Sequence, residues 1–219
     1  SEAGANLILT ARNAQRLKET LSEIKTRGEI IHADLTVEED RNALAESCVK
    51  LDGVVHGAGI VKPFPTKYIG KKNLEEMYGI NYEAPVFLMS ALFQKKKINK
   101  EASIVFLSSV SSNFPHKAGA LYSGAKSALN AYSKVLALEY ATQKIRSNAI
   151  LAAMVKTPMF YEAEAAVSKE KMDEHGSHYP LGFGEPLDVA RCAVFLLSPA
   201  SKWITGTEIV MDGGLTAGT

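Results

Sequence analysis

Cysteine is nearly absent from these 219 residues: Cys48 and Cys192 are the only two, far apart and without a CxxC. That excludes a disulfide framework and a cysteine-built zinc site, and it suits a reducing compartment such as the cytoplasm. Tryptophan occurs once. Neither sign of charge dominates: Lys+Arg 25 against Asp+Glu 24 leaves a formal net charge of +1. No global field therefore draws the chain to nucleic acid or to an anionic membrane. No apolar run approaches the roughly 18–20 residues of a membrane span. An initiating Met and a signal peptide are also lacking, since Ser1-Glu2-Ala3-Gly4-Ala5-Asn6 runs at once into Leu7-Ile8-Leu9-Thr10. That start reads as an entry part-way into a fold. What is present, 46% hydrophobic and 22% charged residues, is ordinary for a soluble globular protein and predicts a single domain over 1–219.

Short apolar runs alternate with longer helical patterns. Strands are expected at Asn6–Thr10, Glu29–His32, Asp52–His56, Ala102–Ser108, Arg146–Leu151 and Thr207–Met211. Their near-continuous Val, Ile and Leu content suits strands buried on both faces. Asn13 can cap a helix carrying Leu17, Leu21 and Ile24 on one stripe. Thr36 and Glu39 form a T-x-x-E capping box for a second helix, with Leu44, Cys48 and Leu51 inward. Further helices are expected at Glu83–Lys97, Tyr122–Gln143 and Pro186–Leu197, the last with proline at its start. The alternation predicts an α/β fold, a doubly wound Rossmann-type parallel sheet with helices on both faces. The stretch 157–180 is too long for a plain connection and reads as a substrate lid with one short helix.

Chemistry concentrates at Tyr122-Ser123-Gly124-Ala125-Lys126. Residues i and i+4 share a helix face, so a phenol and an ammonium can address one site. A free phenol titrates near pH 10, and a neighbouring cation favours its ionised form. Upstream, the strand Ser103–Leu107 ends in Ser108-Ser109-Val110-Ser111-Ser112, at the strand end where open α/β sheets place ligands. The residues alone do not select one of those four serines.

In order along the chain, these motifs resemble the short-chain dehydrogenase/reductase family in its single-domain form, with 3-oxoacyl-thioester reductases as the nearest kind. Ser109, Tyr122 and Lys126 match the family's serine and YxxxK, and Asn81 in Gly79-Ile80-Asn81-Tyr82 matches its helix asparagine. Ala33-Asp34-Leu35 resembles the stretch that holds the adenine. Ile145–Ala149 and Thr157-Pro158-Met159 match the segments beside the nicotinamide. Pro180-Leu181-Gly182, Ile204-Thr205-Gly206 and Asp212-Gly213-Gly214 match the closing elements. The resemblance implies a catalytic set of Asn81, Ser109, Tyr122 and Lys126. Tyr122 would act as general acid or base, and Ser109 would hold the substrate oxygen. Lys126 would bind the nicotinamide ribose and lower the tyrosine pKa, while Asn81 would hold a water that relays protons. It also implies a cofactor site of Arg12, Asp34, Leu35, Ala58, Gly59, Tyr122, Lys126 and Thr157, with no metal.

At the end of the first strand, Thr10-Ala11-Arg12-Asn13 offers a guanidinium and no acid. A guanidinium accommodates a 2′-phosphate in two-pronged fashion, whereas an acid selects the free 2′-hydroxyl, so NADP(H) is favoured over NAD. The family's TGxxxGxG loop is missing. Gly53-Val54-Val55-His56-Gly57-Ala58-Gly59 fits its spacing, but a strand fills its middle and Pro63 and Pro65 follow where a helix should begin. This segment reads instead as the family's NNAG element, with His56 as a structural hydrogen-bonding residue. Measured against the family, the chain enters just before the second strand, lacking the first strand and its glycine loop. Ala152-Ala153 replaces a usual Pro-Gly, and Phe183 stands where arginine is common. His175 and His178 form an HxxH without a third ligand.

These readings predict an NADP(H)-dependent oxidoreductase acting on a small-molecule carbonyl or alcohol substrate. The alternative is a noncatalytic member of the fold that senses cofactor or binds a partner. The apolar surface of the Tyr122 helix (Ala125, Ala128, Leu129, Tyr132, Val135 and Leu136) predicts a homodimer or homotetramer.

Overall fold

The computed structural model describes residues 1–218. Strands and helices alternate as β1 (Leu7–Ala11), α1 (Ala14–Ser22), β2 (Gly28–His32), α2 (Glu38–Ser47), β3 (Leu51–His56), α3 (Lys71–Tyr78), α4 (Ala84–Gln94), β4 (Ile98–Ser109), α5 (Ala120–Glu139), β5 (Arg146–Ala152), α6 (Pro158–Ala166), α7 (Lys169–Ser177), α8 (Pro186–Leu197) and β6 (Glu208–Met211). Every strand pairing is parallel. The α/β class matches the sequence reading, but the sheet comes in two pieces. β1 pairs with β2 alone, while β3-β4-β5-β6 form a second sheet. Among the described residues β1 and β3 therefore each keep one unpaired ladder edge. Among the described residues no helix is long and apolar enough to cross a membrane.

The central strand shows why the hydrophobic runs are continuous. Along β4 the side chains alternate between faces with period two. Ile104 and Phe106 join Leu44, Leu88, Leu92, Leu129 and Leu136 from α2, α4 and α5. Val105 packs the other way, with Ile150 and with Ala193 and Leu196 of α8. A buried guanidinium closes that second layer. Arg146, 8% exposed, donates to Leu196 O and Ser201 Oγ, both at 2.7 Å, and to Ser198 O at 3.2 Å. These acceptors lie at the C-terminal end of α8, where unpaired carbonyls and the helix dipole favour a cation.

Several boundaries differ from expectation. Asn13 does cap α1, accepting from Arg16 N at 2.9 Å. The Thr36–Glu39 box does not form: Val37 is the cap residue, and Thr36 donates its N–H and hydroxyl to Asp34 Oδ1. The aspartate, closer and ionised, wins the hydroxyl. Leu51 opens β3 instead of ending a helix. Helix α3 has no counterpart in the sequence reading, and it runs through a π-turn at Gly79–Glu83 into α4. Proline stands just past that turn. Pro85 has no N–H to give the carbonyl of Asn81 four residues back, and its ring crowds that carbonyl; just before it, Ala84 N–H reaches Gly79 O in the wider i+5 pattern. The stretch 157–180 holds two helices, α6 and α7, rather than one. Phe183 gains a reason there, stacking edge-on with Phe160 at 5.1 Å and Tyr179 at 4.9 Å so that aromatic packing fills its position.

His56 departs from its expected role. It is buried and lies flat on Phe106, rings 4.8 Å apart and 7° from parallel, and its Nε2 has no hydrogen-bond partner. Burial pushes its pKa down to about 4. An unfolded imidazole takes its proton near pH 6.5, whereas the native one refuses it until about pH 4. Stability is thus complete above pH 6.5 and falls by roughly 1.4 kcal/mol per pH unit below it. His56→Phe keeps the stacking and removes that slope. In urea melts its stability relative to the parent should rise by about 2 kcal/mol between pH 7 and pH 4.5. Parallel losses in the two proteins would show that the imidazole does not govern acid stability.

Candidate active site

Helix α5 is built to lie close on the sheet. Small and polar residues form its inner face, and hydrogen bonds fasten them. Ser127 donates to Ser112 O at 2.8 Å, Asn130 to Ser112 Oγ at 2.9 Å, and Ser133 pairs with Ser147 at 2.9 Å. Lys126 is 4% exposed and donates from Nζ to Leu107 O at 2.7 Å. Its ammonium lies 5.8 Å from the centre of the Tyr122 ring. The i, i+4 pair therefore does meet.

The structure also separates the four serines. Ser108 turns to Lys126 O, and Ser112 donates to Ser109 O. The Ser109 hydroxyl accepts from Ser111 N at 3.1 Å and is the polar group beside the Tyr122 phenol. Burial pushes that phenol above its ordinary pKa, and the nearby Ser109 hydroxyl draws it part of the way back. Burial pushes the Lys126 ammonium down to about 8. One cause, exclusion of water, thus raises the one and lowers the other.

Asn81 sits in the π-turn, 1% exposed. Its Oδ1 accepts from Ile60 N at 3.1 Å, and its Nδ2 donates to Ile60 O and Met77 O, each at 3.0 Å. The amide thereby clamps the segment after β3. Gly59 fits only as glycine there, since a Cβ would lie 2.9 Å from Asn81 Oδ1 and 3.6 Å from Lys126 Nζ. Gly59, Asn81 and Lys126 converge, and Gly57 and Ala58 leave open backbone beside them. The GxxxGxG look-alike is a strand as expected: Gly53 is packed in β3, where a Cβ would meet Leu197 at 2.7 Å.

The remaining predicted positions divide in two. Arg12 and Asp34 lie just past the ends of β1 and β2, joined by an exposed contact of 3.8 Å. Asp34 is held below its usual pKa chiefly by the Thr36 N–H and hydroxyl. Leu35 accepts from Arg41 through its carbonyl at 2.8 Å and packs on the main core. Across the sheet, Thr157 precedes Pro158 at the start of α6. Ala153 donates to Met211 O at 3.0 Å, continuing the β5–β6 ladder where the family's Pro-Gly would stand. His175 engages Tyr179 Oη at 3.2 Å, so the HxxH belongs to the aromatic cluster around Phe183. Sequence reasoning missed Tyr78, whose hydroxyl abuts Gly124, and Pro85, whose position relative to Asn81 was legible.

The family model described as enoyl-(acyl carrier protein) reductase matches residues 1–216. A tropinone reductase homolog from Arabidopsis thaliana is 32% identical over 97% of this chain and 82% of its own length. A 2,5-dichloro-2,5-cyclohexadiene-1,4-diol dehydrogenase of Sphingobium indicum is 28% identical over 100% of this chain and 89% of its own. A Brucella melitensis glucose/ribitol-type dehydrogenase superposes with a TM-score of 0.90 at 26% identity, covering 98% and 87% of the two chains. The chain belongs to the short-chain dehydrogenase/reductase family. This dehydrogenase/reductase is therefore an oxidoreductase of a family that uses a nicotinamide cofactor. The residues fit such a group: open backbone at Gly57 and Ala58, a Gly59 cradle that a Cβ would fill, and the buried Lys126 ammonium beside it.

Lys126 has a measurable signature. Unfolded lysine titrates near pH 10.4, and the native group near 8. Between those values the native state binds fewer protons, so stability rises with pH from about 8. Tyr122, with its raised pKa, works in the opposite sense above pH 10. Across pH 8 to 10 the parent should gain roughly 2 kcal/mol on Lys126→Met in denaturant melts. Curves that stay parallel would mean Lys126 is not buried as a cation.

Proposed function

We propose that this dehydrogenase/reductase is an NADP(H)-dependent enzyme that interconverts a small carbonyl compound and the corresponding alcohol, with Tyr122 as general acid and base. The observation that carries the reading is one phenol with the Ser109 hydroxyl beside it and the Lys126 ammonium 5.8 Å from its ring centre on the same helix face. When bound, the nicotinamide supplies or accepts the hydride. Tyr122 gives its proton to the substrate oxygen in reduction and takes it back in oxidation. Its raised pKa keeps the phenol protonated at neutral pH, the form that reduction needs. Ser109 steadies the substrate oxygen as charge develops. Lys126 holds the nicotinamide ribose, and its field lowers the cost of phenolate. The Asn81 amide is fully engaged, so its backbone carbonyl, whose normal helical donor position is Pro85, is the atom that holds a relaying water.

The wider site follows the same reading. Asp34, Leu35, Ala58, Gly59 and Thr157 line the cofactor, and Arg12 meets the 2′-phosphate. A reductase and a diol dehydrogenase among the relatives support carbonyl and alcohol chemistry. The segment 157–180 covers the substrate. Phe87 on α4, with Val135 and Leu138 on α5, is exposed at 50%, 45% and 79%. These apolar side chains support a homodimer or homotetramer built on those helices, working in the cytoplasm.

Two measurements test the proposal. Tyr122→Phe should lower NADPH-dependent ketone reduction by at least about a hundredfold, the lower end of general acid–base contributions. Equal rates in parent and variant would sink the catalytic assignment in favour of a sensing or interaction role. In binding titrations Arg12→Ala should weaken NADPH by about tenfold or more while leaving NADH within about twofold, the loss of a charge-assisted phosphate contact. A uniform loss would assign Arg12 to the fold.

A further inference from the structure

We infer that Tyr78 is a positioning residue, a backstop that sets where α5 presents Tyr122 and Lys126. The inference rests on the catalytic reading above. Gly124 lies two residues after Tyr122, about 200° round the helix and so on the side away from the reacting face. Against that side stands Tyr78, the last residue of α3. A Cβ built on Gly124 would lie 2.6 Å from the Tyr78 hydroxyl oxygen and 3.6 Å from its Cζ. The first distance is well inside van der Waals contact, so the phenol occupies the space that any other residue at 124 would need.

Three further observations give this contact leverage. Tyr78 directly precedes the π-turn that carries Asn81, so the ring touching α5 is anchored one turn from the amide that clamps Ile60. Its own ring is steadied edge-on by Tyr82 at 6.4 Å. On the opposite side, α5 is fastened to strand and turn through Lys126 and Asn130. The helix is therefore held between a hydrogen-bonded face and the Tyr78 ring, and displacement at Gly124 moves Tyr122 and Lys126 together. Glycine in a helix interior is unfavourable on its own account. Its presence at 124 is explained by the room it leaves for the phenol.

The test is a double-mutant cycle on the full chain with Gly124→Ala, Tyr78→Phe and both together. Removing the hydroxyl removes the atom that the new Cβ would meet. Contacting pairs commonly couple strongly enough to change a rate by about tenfold. Gly124→Ala should thus lower kcat by about tenfold with KM within about twofold, and the double variant should recover to within about threefold of the parent. A second readout needs no turnover: the 13Cζ resonance of Tyr122 at neutral pH, assigned by its loss in Tyr122→Phe. Gly124→Ala should move it, and the double variant should return it. Melting temperatures should not follow this order, because alanine favours the helix in either background. A double variant that resembles Gly124→Ala in resonance and rate, or a Gly124→Ala indistinguishable from the parent, overturns the backstop. A parent without turnover overturns the catalytic reading and leaves the resonance to decide the backstop.

Discussion

The constraint on which the site depends is a buried ammonium. Lys126, 4% exposed, has one protein acceptor, the Leu107 carbonyl at 2.7 Å, and a charge so placed is costly unless it is held close to compensating dipoles. Holding it there requires α5 to approach β4 closely, and close approach requires small residues. Ala125 is fully buried, and the helix meets strand and turn through Ser127, Asn130 and Ser133. The polar inner face of α5 is thus part of the same arrangement as the lysine. An apolar face of large side chains would push the helix outward and withdraw the ammonium from Leu107.

A second constraint acts from the neighbouring helix. Pro85 removes the N–H that would close the turn at Asn81, and the π-turn just before it widens the helix where the amide must reach Ile60. Gly59 then completes the approach, because a Cβ at that position would collide with the amide oxygen. One proline and one glycine, far apart in the chain, thereby fix the geometry of one asparagine. Each would be a defect if judged alone by helix or strand propensity.

Much of this was legible in the sequence, and what was not has identifiable reasons. The Val-, Ile- and Leu-rich runs announced parallel strands, since the central strand β4 is packed by a core on each face. The YxxxK spacing announced a shared helix face. The choice of Ser109 came from the family resemblance and not from the residues alone, because it depends on which hydroxyl lies beside Tyr122 once the three-residue turn at Val110–Ser112 is formed. The capping box at Thr36 failed because a better acceptor, Asp34, lay two residues away. Helix α3 escaped notice because its buried stripe is one residue, Met77. The interruption of the sheet between β1 and β3 is a property of pairing, which strand patterns do not encode.

The electrostatics of the pair carry the last step. Exclusion of water acts oppositely on an acid that ionises to an anion and on a base that ionises to a cation. Here it raises the Tyr122 phenol and lowers the Lys126 ammonium, so each neutral form is favoured by the same wall of apolar packing. In the proposed enzyme a cationic nicotinamide beside this pair would ease phenolate, the direction opposite to that of burial.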